Sequence, residues 1–224
     1  MVIILKDIRE EVIQTILSEK IIVIVRGVER EKLLPLAETM YEGGIRLLEI
    51  TYSADGSVSD EETALNIKML AEHFDGRMYI GAGTVLTEKQ VKLTKDAGGK
   101  FIISPDTNRA VIEKTCSLGL VSMPGALTPS EIQSAHSFGA DFVKLFPITN
   151  MGSSYVKAVK APLSHIRLLA VGGIDEKNMS EYFKAGICGF GIGSNIVDKK
   201  LIEAGRFSEI TELAQKYTAV LKNG

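Results

Sequence analysis

The sequence is poor in the features that announce metal, disulfide or nucleic-acid chemistry. It holds no tryptophan, two cysteines and three histidines in 224 residues. Cys116 and Cys188 lie far apart and form no CxxC pair, so they read as small buried hydrophobes in a reducing compartment. His73, His136 and His165 stand in no HxH or HExxH spacing and no DxD motif occurs, which gives no metal site to expect. The net charge is −2, from 26 basic and 28 acidic residues, and without a basic excess neither nucleic acid nor an anionic membrane is an expected partner. There is no apolar run of membrane-spanning length, and the N-terminus lacks a basic segment followed by a long apolar one. The expectation is a soluble, cytoplasmic protein. A GxGxxG turn is also missing after the first apolar run, where "VIVRGVER" has a single glycine, and this weighs against an open dinucleotide-binding sheet.

What the chain does contain is alternation. Strand-like runs at 21–25, 45–50, 78–82, 100–103, 119–123, 141–146, 167–171 and 187–192 are separated by amphipathic helical patterns such as 31–42, 62–73, 87–96 and 128–137. Thr87 before Glu88, Thr128 before Pro129 and Asp175 before Glu176 are candidate helix caps. A weak repeat supports the parsing: "YEGGIRLLEI", "KDAGGKFIIS", "SFGADFVKLF" and "FKAGICGFGI" each run from a helix end through glycine into a strand. Helices that return to buried strands make βα units and a parallel sheet. About eight units in about 200 residues predict an α/β fold of the (β/α)8 TIM-barrel type. Residues 7–19 form an additional N-terminal amphipathic helix, and no linker divides the chain, so 1–224 reads as a single domain.

Active sites of such barrels gather at the C-terminal ends of the strands. Strand alternation then sorts the residues there. Leu47, Glu49 and Thr51 share the face opposite Leu48 and Ile50, which suit packing on helices. Phe142, Lys144 and Phe146 share one face of "DFVKLFP", and Ile80, Ala82 and Thr84 share one face of the third strand. One lumen is thus expected to hold Lys144, Glu49 and a threonine hydroxyl. A lysine in a strand ordinarily snorkels to water, and a glutamate at a strand end is ordinarily solvated. Two such charges directed at one cavity, each costing several kcal/mol to bury alone, point to function.

The glycine-bearing loops "AVGGID" and "GIGSN" follow the seventh and eighth strands, where barrels frequently bind phosphate. Gly172, Gly173 and Gly193 allow backbone N–H groups to approach an anion, Ser194 adds a hydroxyl and Arg26 a counter-charge. Apolar neighbours disfavour the ammonium form of Lys144, and a neutral amine attacks a ketone to give a Schiff base. The iminium accepts electrons, so a carbon–carbon bond can be cleaved or formed without metal or cofactor. Glu49 would serve as general acid and base, with Thr84 and Thr51 hydrogen-bonding the substrate.

The stretches "LLEIT", "IGAGTVLT", "FIISP", "MPGALTPSE", "FVKLFP", "VGGI" and "GIGS" resemble the 2-keto-3-deoxy-6-phosphogluconate (KDPG) and 4-hydroxy-2-oxoglutarate (KHG) aldolase family over about residues 20–205. The resemblance implies a class I aldolase, usually a homotrimer, that cleaves a 2-keto-3-deoxy acid into pyruvate and an aldehyde. It puts Lys144 in the Schiff-base role, Glu49 in proton transfer and Thr84 on the pyruvate carboxylate. Pro105 lines the site, and Arg26, Gly172, Gly173, Gly193 and Ser194 take the phosphate end. The chain departs from the pattern at Ser53, where many members have arginine, at Asp106 after Pro105, at Val171 before the glycines, and in a longer segment at 52–63. The competing readings are a phosphate-binding barrel epimerase or isomerase, using Lys144 and Glu49 without a covalent step, and a catalytically silent sugar-phosphate binding protein.

Overall fold

The computed structural model describes residues 7–222. Residues 1–6, part of the N-terminal stretch read above for targeting signals, and residues 223–224 lie outside that description. The strands are β1 (Ile21–Val25), β2 (Leu47–Thr51), β3 (Tyr79–Gly83), β4 (Phe101–Ile103), β5 (Val121–Met123), β6 (Gly125–Ala126), β7 (Val143–Leu145), β8 (Leu168–Val171) and β9 (Ile187–Ile192). All pair in parallel in the order β5-β4-β3-β2-β1-β9-β8-β7-β6. β5 and β6 are one extended segment interrupted at Pro124. The first half pairs with β4 and the second with β7, so this segment joins the two edges of the sheet and closes the barrel. Pro124 has no N–H to give to a ladder, but its carbonyl accepts from Lys144 N at 2.8 Å.

The helices are α1 (Ile8–Glu19), α2 (Arg30–Glu42), α3 (Asp60–His73), α4 (Glu88–Asp96), α5 (Arg109–Ser117), α6 (Pro129–Ser137), α7 (Gly152–Lys160), α8 (Met179–Lys184), α9 (Lys199–Glu203) and α10 (Phe207–Lys222). Thr87 and Thr128 form capping boxes with Gln90 and Glu131. Asp175 does not cap a helix starting at Glu176, as its sequence context suggested. Its carboxylate accepts from Lys177 N and Asn178 N in a turn, and α8 begins only after Asn178. A short carboxylate bonded to the backbone just ahead stabilises a turn as readily as a helix start. The repeat glycines do take left-handed backbone, with φ of +90° at Gly44 and +104° at Gly139.

Two apolar layers hold the barrel. The outer one packs β-strand residues such as Val23, Leu48, Ile80, Val143 and Leu168 against the helices. The inner one gathers Ile22, Leu47, Phe101, Ile103, Val121, Met123, Phe142 and Leu169, and Val12, Ile13 and Ile16 of α1 pack into it. Helix α1 therefore plugs the N-terminal end. Arg9 fixes it there by donating from Nη2 to both carboxylate oxygens of Asp141, at 2.8 and 3.0 Å. Bulky inward side chains fit because β3 and β9 present glycine. A Cβ on Gly81 would lie 2.2 Å from the Phe101 ring, and one on Gly191 would lie 2.8 Å from Val171.

Candidate active site

Lys144 lies in the middle of the three-residue strand β7, next to β6 and β8. The strand period points it inward with Phe142, which is fully buried in the inner core, while Val143 and Leu145 pack outward. Only 7% of Lys144 is exposed. Its Nζ stands 4.4 Å from the centre of the Phe146 ring, itself 36% exposed at the mouth. Burial lowers the pKa of this amine; the field of Glu49 opposes the shift and that of Arg26 adds to it.

Glu49 faces the same lumen from β2, with 2% of its surface exposed. A carboxyl group fits there because β3 contributes no side chain opposite it. A Cβ on Gly83 would fall 1.6 Å from Glu49 Oε1. Burial raises the carboxyl pKa, and Lys144 and then Arg26 pull it back. Oε2 is buried without a hydrogen-bond partner. No direct ion pair joins Glu49 to Lys144, yet each bears on the other's titration, so the two share one low-dielectric cavity without neutralising each other by contact. An amine biased towards its neutral form and a carboxyl biased towards its protonated form are a nucleophile and a proton donor held in reserve.

Thr84 reaches the mouth by a route that strand alternation did not foresee. Ile80 and Ala82 belong to the outer layer, and it is Gly81 and Gly83 that look inward. Thr84 leaves the strand with φ +55°, a left-handed conformation unusual for a β-branched residue. There its Oγ1 accepts a hydrogen bond from Arg26 Nη2 at 3.1 Å. Arg26, the first residue after β1, is therefore close to the threonine as well as to the expected anion end. It lines two clefts at the strand ends. One, of about 530 Å³, is formed with Ile24, Gly193, Ser194, Val197, Asp198, Lys199 and Lys200. The other, of about 780 Å³, runs along Thr51, Ser53 and the loop up to Val58.

The remaining expected residues divide. Gly193 and Ser194 share the first cleft with Arg26. Gly172 and Gly173, both at positive φ, pack instead on Thr149: a Cβ on Gly173 would meet the Thr149 side chain at 2.9 Å, and one on Gly172 would lie 3.8 Å from Phe146. They form the rim beside the ring that covers Lys144. Pro105 presses its carbonyl against Gly125, the strand neighbour of Lys144, where a Cβ would lie 2.2 Å away. Thr51 ends β2 opposite Gly83. Ser53 is turned into its own loop by hydrogen bonds with Asp55 and Ser57. Asp106 is exposed, and Val171 is buried against Gly191. The long 52–63 segment is anchored at one end by Tyr52, whose hydroxyl bonds Gln90 O and Thr94, and at the other by Ser59 capping α3. Burial pushes the Tyr52 phenol up to about 12. Lys199 and Lys200, which line the first cleft, were not singled out in the sequence.

A (β/α)8 barrel with a buried amine, biased towards its neutral form, facing a buried carboxyl has the equipment of an enzyme that works through an amine–carbonyl adduct. Comparison with known proteins narrows the class. Residues 12–213 match the family described as KDPG and KHG aldolase. The chain is 34% identical over 181 residues to a probable 2-dehydro-3-deoxy-6-phosphogalactonate aldolase of Rhizobium meliloti (strain 1021), covering 80% of this chain and 82% of that one. It is also 34% identical over 190 residues to the 2-dehydro-3-deoxy-phosphogluconate aldolase of Treponema pallidum (strain Nichols), covering 83% and 86%. The KDPG aldolase of Legionella pneumophila, solved with pyruvate captured as a covalent carbinolamine intermediate, superposes with a TM-score of 0.78 at 28% identity over 91% of this chain and 96% of that one. The chain belongs to the KDPG and KHG aldolase family. It is a Schiff-base aldolase, and so a lyase.

Proposed function

We propose that the protein cleaves a 2-keto-3-deoxy sugar acid, phosphorylated at its far end, into pyruvate and an aldehyde, with Lys144 as the nucleophile. The neutral Lys144 amine adds to the C2 carbonyl to form a carbinolamine. Loss of water gives the iminium, and cleavage of the C3–C4 bond sends the electron pair into it as an enamine. The aldehyde leaves, a proton is returned to the enamine carbon, and water releases pyruvate from the lysine. Glu49 carries the protons in these steps, burial biasing its carboxyl towards the protonated form. Thr84 and Arg26, already hydrogen-bonded to each other, take the keto-acid carboxylate side. Gly193 and Ser194 take the phosphate, with Thr51, Pro105, Gly172 and Gly173 shaping the mouth. The observation that carries this reading is the burial of Lys144 and Glu49 together in one lumen.

The relatives differ in name between gluconate- and galactonate-derived substrates, and Ser53, Asp106 and Val171 all lie on the mouth side of the barrel. The test is a panel of phosphorylated and unphosphorylated 2-keto-3-deoxy acids, together with 4-hydroxy-2-oxoglutarate, each coupled to pyruvate detection. Release of pyruvate from a phosphorylated acid, with kcat/KM well above that of its unphosphorylated analogue, is the expected result. Equal rates on both would remove the phosphate from the reading. The same reading takes the chain as one domain acting in the cytoplasm as a homotrimer; sedimentation analysis checks the trimer. Among the described residues no helix is long and apolar enough to cross a membrane.

A further inference from the structure

Arg26, which the sequence assigned to the phosphate end, is drawn towards Thr84. It still lines the 530 Å³ cleft, and α9 brings two further positive charges there. Lys199 and Lys200 line the 530 Å³ cleft together with Gly193 and Ser194. The Lys199 side chain folds across the loop after β1 so closely that a Cβ on Gly27 would lie 3.3 Å from its Nζ. Neither lysine forms an ion pair with another described residue. The one carboxylate in the cleft, Asp198, is occupied in capping its own helix, accepting from Lys200 N at 2.8 Å and Leu201 N at 3.3 Å. The cleft thus offers the charges of Arg26, Lys199 and Lys200 against a single carboxylate already engaged with backbone N–H groups.

We infer that Lys199 is a specificity-determining residue: its ammonium group, reaching over Gly27 beside Ser194, binds the terminal phosphate of the substrate and selects phosphorylated over unphosphorylated acids. This rests on the aldolase reading above. Glycine N–H groups and one hydroxyl approach a phosphate closely but carry no full charge, and a lysine amine on a flexible stem adds one as a point charge. Lys200 follows on the same short helix and contributes only its field.

The test is Lys199→Met, compared with Lys199→Arg and Lys200→Met. Steady-state kinetics are measured on a phosphorylated 2-keto-3-deoxy acid and its unphosphorylated analogue, alongside borohydride trapping of pyruvate. Losing a hydrogen bond to a charged group costs about 10- to 100-fold in binding. Lys199→Met should lower kcat/KM on the phosphorylated acid by that factor, mainly through KM. Turnover of the unphosphorylated acid and the pyruvate adduct should be unchanged, and Lys199→Arg should restore most of the loss. Competitive inhibition by inorganic phosphate should weaken in parallel. A loss equal on both substrates, or an equal loss in Lys200→Met, overturns the assignment while leaving the aldolase intact. Failure of the parent enzyme to trap pyruvate would instead sink the underlying reading.

Discussion

The placement of Glu49 depends on a missing side chain, and this makes Gly83→Ala an informative perturbation. An added Cβ would lie 1.6 Å from Oε1, 2.3 Å from the carboxyl carbon and 2.7 Å from Cγ. Ordinary contact between such atoms is about 3.5 Å, so the carboxyl group must retreat by roughly 1.5–2 Å. The backbone has little room to yield, because β2 and β3 pair along their whole length, from Leu47 with Tyr79 to Thr51 with Gly83. Misplacing a catalytic group by about 1 Å can cost about 100-fold in rate, so kcat should fall at least that far. Overpacking should destabilise the fold by about 1–3 kcal/mol. Urea unfolding and pyruvate release measure the two effects separately. A Glu49→Ala background removes all three of these atoms, and Gly83→Ala should then cost less than about 0.5 kcal/mol, so a double-mutant cycle isolates the clash. Turnover of Gly83→Ala within about threefold of the parent would show that the position of Glu49 does not govern the reaction.

Two further outcomes follow from the site. Thr84→Gly relieves a left-handed conformation that costs a side chain about 1–2 kcal/mol, so thermal unfolding should show no loss of stability, while turnover falls by about 10- to 100-fold for want of the hydroxyl. Lys144→Met should be more stable than the parent at neutral pH. The folded-state pKa of Lys144 lies below the ordinary value, so the unfolded chain binds the proton more tightly and the parent gains stability as pH rises through the window between the lowered pKa and about 10.5. The advantage of Lys144→Met should shrink across that window, and urea titrations at several pH values would reveal a constant difference if burial of the amine were not the cause.

Much of this protein could be read from local pattern. The helix-glycine-strand repeat gave the barrel, and period-two alternation turned Glu49 and Lys144 inward, because both rules concern neighbours along the chain. The same rule misassigned β3. "YIGAGT" has two glycines on the inward face, and an absent side chain carries no periodic signal of its own. Thr84 enters the site through a backbone conformation rather than through the strand period. Asp175 misled because capping and turn formation use the same short carboxylate bond. Lys199 was invisible because its importance lies in reaching Gly27, a contact between distant parts of the chain that only the closed barrel creates.

The central claim is that the buried amine of Lys144 attacks the substrate carbonyl. Incubation with pyruvate, reduction with borohydride and peptide mass mapping tests it most directly. One reduced pyruvate should appear on Lys144, form faster as pH rises and level off below the ordinary lysine range, and be absent from Lys144→Met. An adduct confined to another lysine, or none at saturating pyruvate, would contradict the account.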